Sequence, residues 1–453
     1  MSLPAPTILI SHLSPRTFIG LDLLSFTSTP NFHGVRDITP GIHFLYSGTS
    51  ESFSLRSGEW IFVGSTDDLV SQYEGQLVLA AQQSGQQVPD VRLRRWDQES
   101  ETLVPFNGES AEEKQDAMRL RANLGQIIQS GGLLSYQDAV HGRRREGKDK
   151  MKDTTEATSL ESADWHALSK YISPSTLTRV LGDPIIDSDG RPTWRLSSGS
   201  SALQDAEEIP GLTPAEAAEG FGGQDKELGF LHIDLKHTWR EGAIGRERTE
   251  AAQDRSWYLW SLVEQMMNAQ EDKSERDGLT VGETEILGEM QFTFLMILTL
   301  MNYSCLEQWK RILGLVFSCR KAIIERPAFF IEAIRLLSLQ IQHFDDVEGG
   351  LFEVGGDDGG KFLRKLLSSF MRTVDELEDV KVASDVKAEM EKLKQTVERL
   401  LGWELRSEFT VRRGMLQLED GEQVEMDVSD AEEEEETGEY APVIVDLDET
   451  NFR

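Results

Sequence analysis

The sequence predicts an α+β chain: an N-terminal antiparallel β-rich, sandwich-like domain, then a C-terminal all-α domain and an acidic tail. Three observations predict it. Over residues 7–110, short β-branched and aromatic runs alternate with turn-forming residues, and no long helix intervenes. From residue 250 onward, apolar residues recur at helical spacing. From Met415 to Arg453 there are 15 acidic residues against one basic residue, a local charge of −14.

The strands are read at residues 7–10, 18–21, 42–46, 60–63, 77–80 and 91–96. Ser14-Pro15, Thr29-Pro30-Asn31, Pro40-Gly41, Ser57-Gly58 and Ser84-Gly85 supply the turns between them. Val91-Arg92-Leu93-Arg94 alternates apolar and charged, the mark of a strand with one solvated face. Residues 112–129 are helical, with Met118, Leu120, Leu124, Ile127 and Ile128 as the apolar side. The polar stretch from Arg143 to Ser162 lacks any apolar period and reads as a flexible loop; nuclear import is the functional reading of its basic run. A stripe of Trp165, Leu168, Ile172, Leu177 and Leu181 is broken at Ser173-Pro174, where Pro174 suits the first turn of a second helix. Residues 182–229, rich in Gly, Ser, Pro and Asp, read as a linker.

Helices then dominate, at residues 250–269, 283–301, 305–320, 328–343, 361–377 and 383–401. Phe292 to Met301 is apolar all round apart from Thr293 and Thr299, so that helix is surrounded by protein; the run is too short for a bilayer, which needs ~20 residues. After it, Glu307, Gln308, Lys310 and Arg311 interleave with Leu306, Trp309, Ile312 and Leu313, which predicts a helix with one wet face. Val386, Met390, Leu393, Val397 and Leu400 form a seam for packing on another helix, as do Phe362, Leu363, Leu366, Leu367 and Phe370. The reading divides the chain into residues 1–160 (β-rich), 161–245 (helix and flexible linker), 246–406 (helical) and 407–453, an acidic disordered tail with a terminal β-augmentation segment.

A chain of 453 residues with 39% hydrophobic content can bury real cores. Its net charge of −33 opposes general affinity for nucleic acid or an anionic membrane, because phosphates are repelled. Cys305 and Cys319, the two cysteines, lie in apolar helical surroundings and read as reduced core thiols. Met1-Ser-Leu-Pro-Ala-Pro shows no secretory signal, so the cell interior is the expected location, with both cytoplasm and nucleus open to the chain.

Catalytic and phosphate-binding constellations are missing from the sequence: no Gly-x4-Gly-Lys-Ser/Thr loop, no Gly-x-Ser-x-Gly elbow and no His-Glu-x-x-His. The Asp345-Asp346-Val-Glu348-Gly-Gly segment lacks the twelfth-position acid of a calcium loop, since Gly356 stands there. His232 and His237 could serve a metal only with ligands from elsewhere; an ordinary extended segment is the competing reading, and His33 and His43 read as structural. No cofactor is implied, and an enzyme is not expected. The tail differs from a plain charge run at Pro442-Val443-Ile444-Val445-Asp446-Leu447, whose β-branched residues suit addition to another protein's sheet edge; folding back on the chain's own β-domain is the alternative. Ser429, flanked by acids, is a candidate kinase target.

Several strings, in order along the chain, resemble the A1-cistron splicing factor family: Phe32-His-Gly-Val-Arg36, Ile38-Thr-Pro-Gly-Ile-His-Phe-Leu45, Arg121-Ala-Asn-Leu124, Leu287-Gly-Glu-Met-Gln-Phe292, Gln308-Trp-Lys-Arg-Ile-Leu313 and Tyr440-Ala-Pro-Val-Ile-Val445. The resemblance implies an assembly factor of the U5 small nuclear ribonucleoprotein with a VHS-like helical domain. It implies as partner the large pre-mRNA-processing scaffold protein, bound at its RNase H-like and Jab/MPN domains, mutually exclusive with the U5 helicase. It assigns strand addition to the tail, here Tyr440, Val443, Ile444, Val445 and Leu447, and makes the exposed side of the Trp309-Lys310 helix a second partner surface. A generic acidic adaptor or chaperone unrelated to splicing is the alternative. The 143–162 and 182–229 stretches, the loop after Phe344 and the acidic run before Tyr440 exceed the family's minimum.

Overall fold

The computed structural model describes residues 5–50, 54–64, 90–106, 110–140, 160–187, 190–202, 205, 227–269, 278–344, 359–377, 380–403, 405, 412–417 and 423–428. Two sheets build the N-terminal region. One runs β8-β7-β1-β4-β9, with β1 at Thr7–Ser11, β4 at Gly34–Arg36, β7 at Val91–Asp97, β8 at Thr102–Pro105 and β9 at Leu133–Ser135. The other runs β10-β11-β6-β5-β2-β3, with β2 at Phe18–Leu21, β3 at Leu24–Thr27, β5 at Gly41–Gly48, β6 at Arg56–Val63, β10 at Ile185–Ile186 and β11 at Pro192–Ser197. The expected fold class is therefore present, with helices following the β-rich region.

Pairing differs in one respect from an antiparallel sandwich. β1 pairs parallel with β7, and β4 parallel with β9. Parallel neighbours require a crossover rather than a hairpin, and for β4–β9 the crossover includes α1 at Ala111–Gln129. Run-by-run reading finds strands but not partners this distant. Arg92 and Arg94 also depart from the expected solvated face: both are buried. Arg92 bonds Asp90 and the Phe62 carbonyl, while Arg94 pairs with buried Glu59.

α1 starts at a Ser110 N-cap that accepts from the Glu113 N–H, satisfying one orphan donor of the first turn. Leu120, Leu124 and Ile127 pack on the cluster of Leu9, Val91, Leu93, Phe106 and Leu133, so the helix covers one face of the first sheet. Met118 and Ile128, assigned to the same apolar side from sequence, instead face solvent. The other face joins Ile8, Ile10, Val35 and Trp96 to Ile19, Leu21, Leu45, Ile61 and Val63 of the second sheet.

Gly34 has a reason to be glycine. Its φ is +147°, and a Cβ there would sit 1.9 Å from the Ile8 carbonyl oxygen. That carbonyl belongs to the β1 strand paired with β4 at Leu9↔Gly34, so close backbone approach is what the position requires.

Two segments expected to lack structure are strands. β11 lies within the stretch read as linker; it pairs antiparallel with β6 from Thr193↔Ile61 to Ser197↔Ser57 and buries Trp194 and Leu196. Flanking Gly, Ser and Asp residues masked its alternation. In the tail, β12 at Arg412–Gln417 and β13 at Gln423–Val428 pair antiparallel from Arg412↔Val428 to Gln417↔Gln423. The sequence signal was Asp420-Gly421 between two alternating runs. The strand read at residues 77–80, the loop at 141–159 and residues 206–226 lie outside the described residues.

The helices are α2 at Leu160–Leu168, α3 at Pro174–Leu181, α4 at Arg246–Gln253, α5 at Ser256–Ala269, α6 at Val281–Leu300, α7 at Tyr303–Val316, α8 at Lys321–Glu325, α9 at Pro327–Ile341, α10 at Gly359–Asp375 and α11 at Val380–Leu401. Two compact units result, and they do not follow chain order. One comprises residues 1–231, 284–309 and 346–348; the other comprises 232–283, 310–345 and 349–453. A division in chain order at residue 245 differs from this one, because most of α6 groups with the β-rich unit.

In the second unit, Phe370 of α10 meets Phe317 edge-on at 4.9 Å and stacks on Phe330 of α9 at 6.3 Å. Val386, Met390, Leu393 and Val397 of α11 are buried as the seam required, whereas Leu400 is 40% exposed where the helix ends. Arg335 of α9 reaches Glu389 of α11 at 2.9 Å. Cys305 and Cys319 are buried, and burial pushes both thiols upward, so neither supplies a thiolate.

Candidate functional site

α6 is a largely apolar, buried helix that nevertheless holds Glu285, Glu289 and Gln291 in its interior. Glu289 is 0% exposed, yet three donors reach it. Arg179 of α3 approaches at 2.5 Å, the Leu231 N–H at 3.1 Å, and the Gln308 amide of α7 at 2.7 Å. Gln308 spans further, donating to the Leu231 carbonyl at 2.8 Å. Arg179 also reaches Glu285, one turn earlier, at 3.3 Å. Burial opposes the Arg179 charge, but the two carboxylates outweigh it and raise its pKa.

Gln291, two residues on, accepts from the Tyr171 N–H and donates to the Ala167 carbonyl, both at 2.7 Å. Just before Glu289, Gly288 abuts backbone: a Cβ would sit 2.5 Å from the Tyr171 carbonyl oxygen. Phe292 then packs on Trp60 of β6 at 5.9 Å, and Trp60 on Trp165 of α2 at 6.0 Å. Within Leu287-Gly-Glu-Met-Gln-Phe292, Gly288, Glu289, Gln291 and Phe292 thus clamp α6 to α2, α3 and the second sheet, while Leu287 and Met290 are buried. Sequence reading missed Glu289 and Arg179, although two amide or acid side chains inside an apolar run were the available signal.

A second buried network lies at Asp22, His43 and Tyr136, whose side chains are almost fully enclosed. Asp22 Oδ2 takes His43 Nδ1 and the Tyr136 hydroxyl, each at 2.6 Å, and Oδ1 takes the Phe44 N–H at 2.9 Å. His43 Nε2 meets the Thr39 carbonyl at 2.7 Å. A carboxylate and a carbonyl only accept, so this pair of partners favours the imidazolium, in which both ring nitrogens donate. Burial lowers the His43 pKa, but Asp22 and Thr39 more than compensate and the net value is raised above 6.5. With both nitrogens committed, the ring has none left to take a substrate proton. The expected structural role of His43 fits this geometry.

A raised histidine gives stability that is fully present below the unfolded value of 6.5 and lost as the pH climbs through the folded value. Wild-type protein should therefore lose unfolding free energy relative to His43→Leu as pH rises from 6 toward 9. Urea unfolding at both ends of that range measures this; parallel wild-type and variant profiles would sink it.

The residues proposed for partner binding divide in two. Trp309 is 1% exposed and packs on Phe294 at 6.1 Å, so it is a core side chain rather than a surface anchor. Lys310 is half-buried. The face expected to be wet is largely dry: Glu307, Gln308 and Arg311 are 7%, 0% and 2% exposed. Polar residues on a helix signal solvent only when no buried partner awaits them, and Gln308 has two. Tyr440, Val443, Ile444, Val445, Leu447 and Ser429 lie outside the described residues, as does Asp345-Gly356.

Among the described residues no three His, Cys, Asp or Glu side chains gather as a metal site. His237 instead meets Asp234 at 2.7 Å, and His232 is exposed. No described helix is long and apolar enough to cross a membrane.

Comparison with known proteins agrees with the resemblance read from the ordered strings. The model of the AAR2 N-terminal domain matches residues 4–182, and that of the AAR2 C-terminal repeat region matches residues 230–406. The Protein AAR2 homolog of Homo sapiens is 24% identical over 349 residues, that of Pongo abelii 24% over 355 and that of Mus musculus 23% over 347. Each alignment covers 74% of this chain and 75% of the relative. With both domain models matched in order along its length, the chain belongs to the AAR2 family.

Proposed function

We propose that this chain is a pre-mRNA splicing assembly factor, not an enzyme, that binds the large scaffold protein of the U5 particle at its RNase H-like and Jab/MPN domains. In that role it blocks premature docking of the U5 helicase and of RNA. The observation that carries the reading is the ordered match of both AAR2 domain models, which supports a splicing-related role. Two further features support a protein-binding mode. The Leu287–Phe292 string is consumed in holding the fold, and a net charge of −33 disfavours direct contact with nucleic acid or anionic membrane. Work in both cytoplasm and nucleus is part of the proposal, and phosphorylation of Ser429 is its candidate release trigger.

Strand addition is assigned to Tyr440, Val443, Ile444, Val445 and Leu447, which would contribute main-chain hydrogen bonds to an edge of the partner. Deleting residues 440–453 from the full chain should weaken capture of the scaffold protein on the order of tenfold or more, with the melting temperature unchanged. Affinity capture from cell extract followed by titration against the purified scaffold domains reads this. Unchanged affinity would remove the tail from the interface. Loss on neutralising Glu432–Glu436 alone, with the last residues dispensable, would favour the acidic adaptor.

A further inference from the structure

The second unit presents a basic, aromatic surface in an otherwise acidic chain. Lys236, Arg240, Arg246, Arg248, Ile244 and Trp257 are all exposed. Residues 236–248 carry four Lys and Arg against Glu241 and Glu247, with Arg246 paired to Glu250 at 2.6 Å, so Lys236, Arg240 and Arg248 supply the positive charge in a chain that stands at −33. The guanidinium of Arg248 lies 5.3 Å over the Trp239 ring, and that of Arg240 lies 5.3 Å over the Trp257 ring. His237 meets Trp239 edge-on, also at 5.3 Å.

This surface is built rather than loose. The buried Thr238 hydroxyl donates to the Ala251 carbonyl of α4 at 3.0 Å, and Asp234 takes both the Lys236 N–H and His237 Nδ1. Arg248 Nε holds the Ala243 carbonyl at 2.6 Å. Trp and Arg on a pre-organised frame form the composition that concentrates binding energy. Among the described residues, neither Lys236 nor Arg240 has a carboxylate partner.

We propose that this surface docks the chain's own acidic run at residues 430–436, where six of seven residues are Asp or Glu. Charge complementarity selects an acidic peptide, and the tether selects this one. Leu405, 3% exposed, anchors the end of the helical region in the same unit as the surface. The register of the β12–β13 hairpin sets Val428 opposite Arg412, so the chain between those two residues adds almost nothing to the tether. The acidic run is therefore linked to Leu405 mainly by residues 406–411, a reach on the order of 20 Å at ~3.3 Å per residue. Short tethers give effective concentrations in the millimolar range, so weak ionic contacts suffice. The contact does not depend on what residues 440–453 bind elsewhere.

The test uses the full-length chain. Carbodiimide zero-length cross-linking, with a mixture of ¹⁴N and ¹⁵N protein, should join Lys236 to carboxylates at 430–436 within one molecule and fade at high salt. Amide exchange over residues 236–248 should be about tenfold slower in wild type than in a variant with Glu432–Glu436 changed to Lys. Adding Arg240→Glu and Arg248→Glu to that variant should restore protection. The proposal fails if exchange is the same in all variants, or if cross-links form only between molecules. It also fails if a single-stranded oligouridine probe protects the surface while tail reversal does not affect it.

Discussion

Glu289→Ala should lower the unfolding free energy of the β-rich unit by about 3–5 kcal/mol, the range for removing one partner of a buried charge pair. The side chain is 0% exposed and has three donors aimed at it. Alanine would leave the Leu231 N–H and the Gln308 amide without this acceptor, and Arg179 with only the longer contacts to Glu285 and the Gly229 carbonyl. Each buried donor left without a partner costs about 1–3 kcal/mol, so cost accumulates around a single deletion. Glu289→Gln should lose less, because it keeps one acceptor oxygen and the side-chain volume. At about 2–4 °C per kcal/mol for a unit of this size, the alanine variant should melt roughly 10 °C below wild type by calorimetry. A loss under about 1 kcal/mol would mean the clamp is not energetically central.

Gly34→Ala should be at least as damaging. The added Cβ lands 1.9 Å from the Ile8 carbonyl oxygen and 3.1 Å from the Leu9 Cα, at a φ of +147° that alanine adopts only with strain. Neither obstacle is a movable side-chain tip; both belong to β1, which pairs with β4 on one side and β7 on the other. Relief requires breaking the Leu9↔Gly34 register, at a cost of about 3 kcal/mol or more, and soluble yield should fall sharply. Gly125→Ala gives the control. It lies within α1 with nothing within 4 Å of its Cβ, so it should stabilise by about 0.5–1 kcal/mol. Equal circular dichroism and denaturant midpoints for Gly34→Ala and wild type would overturn the argument.

What the sequence made legible tracks how local the cause was. The α11 seam, the Ser173-Pro174 break and the β5 run follow from spacing and turn chemistry within a few residues, whereas Ser57-Gly58, read as a turn, lies inside β6 and pairs with both β5 and β11. Parallel pairing of β1 with β7 depends on residues some eighty positions apart, and no local pattern encodes it. The same distance effect hid the site chemistry. Gln308 looked solvated because its acceptors, Glu289 and the Leu231 carbonyl, come from other parts of the chain. Asp22 and Tyr136 looked unremarkable for the same reason, since their direct hydrogen bond joins residues far apart in the sequence.

The grouping of residues 284–309 with the β-rich unit bears on how the protein is made. A ribosome that has delivered residues 1–231 has supplied both sheets, yet Trp60 still lacks Phe292, and Arg179 and Leu231 still lack Glu289. Until residue 309 has emerged, the nascent unit carries an apolar slot and unpaired donors that only a later helix can fill. For the interval in between, the half-made unit leaves open the apolar surface and donors that the finished fold encloses.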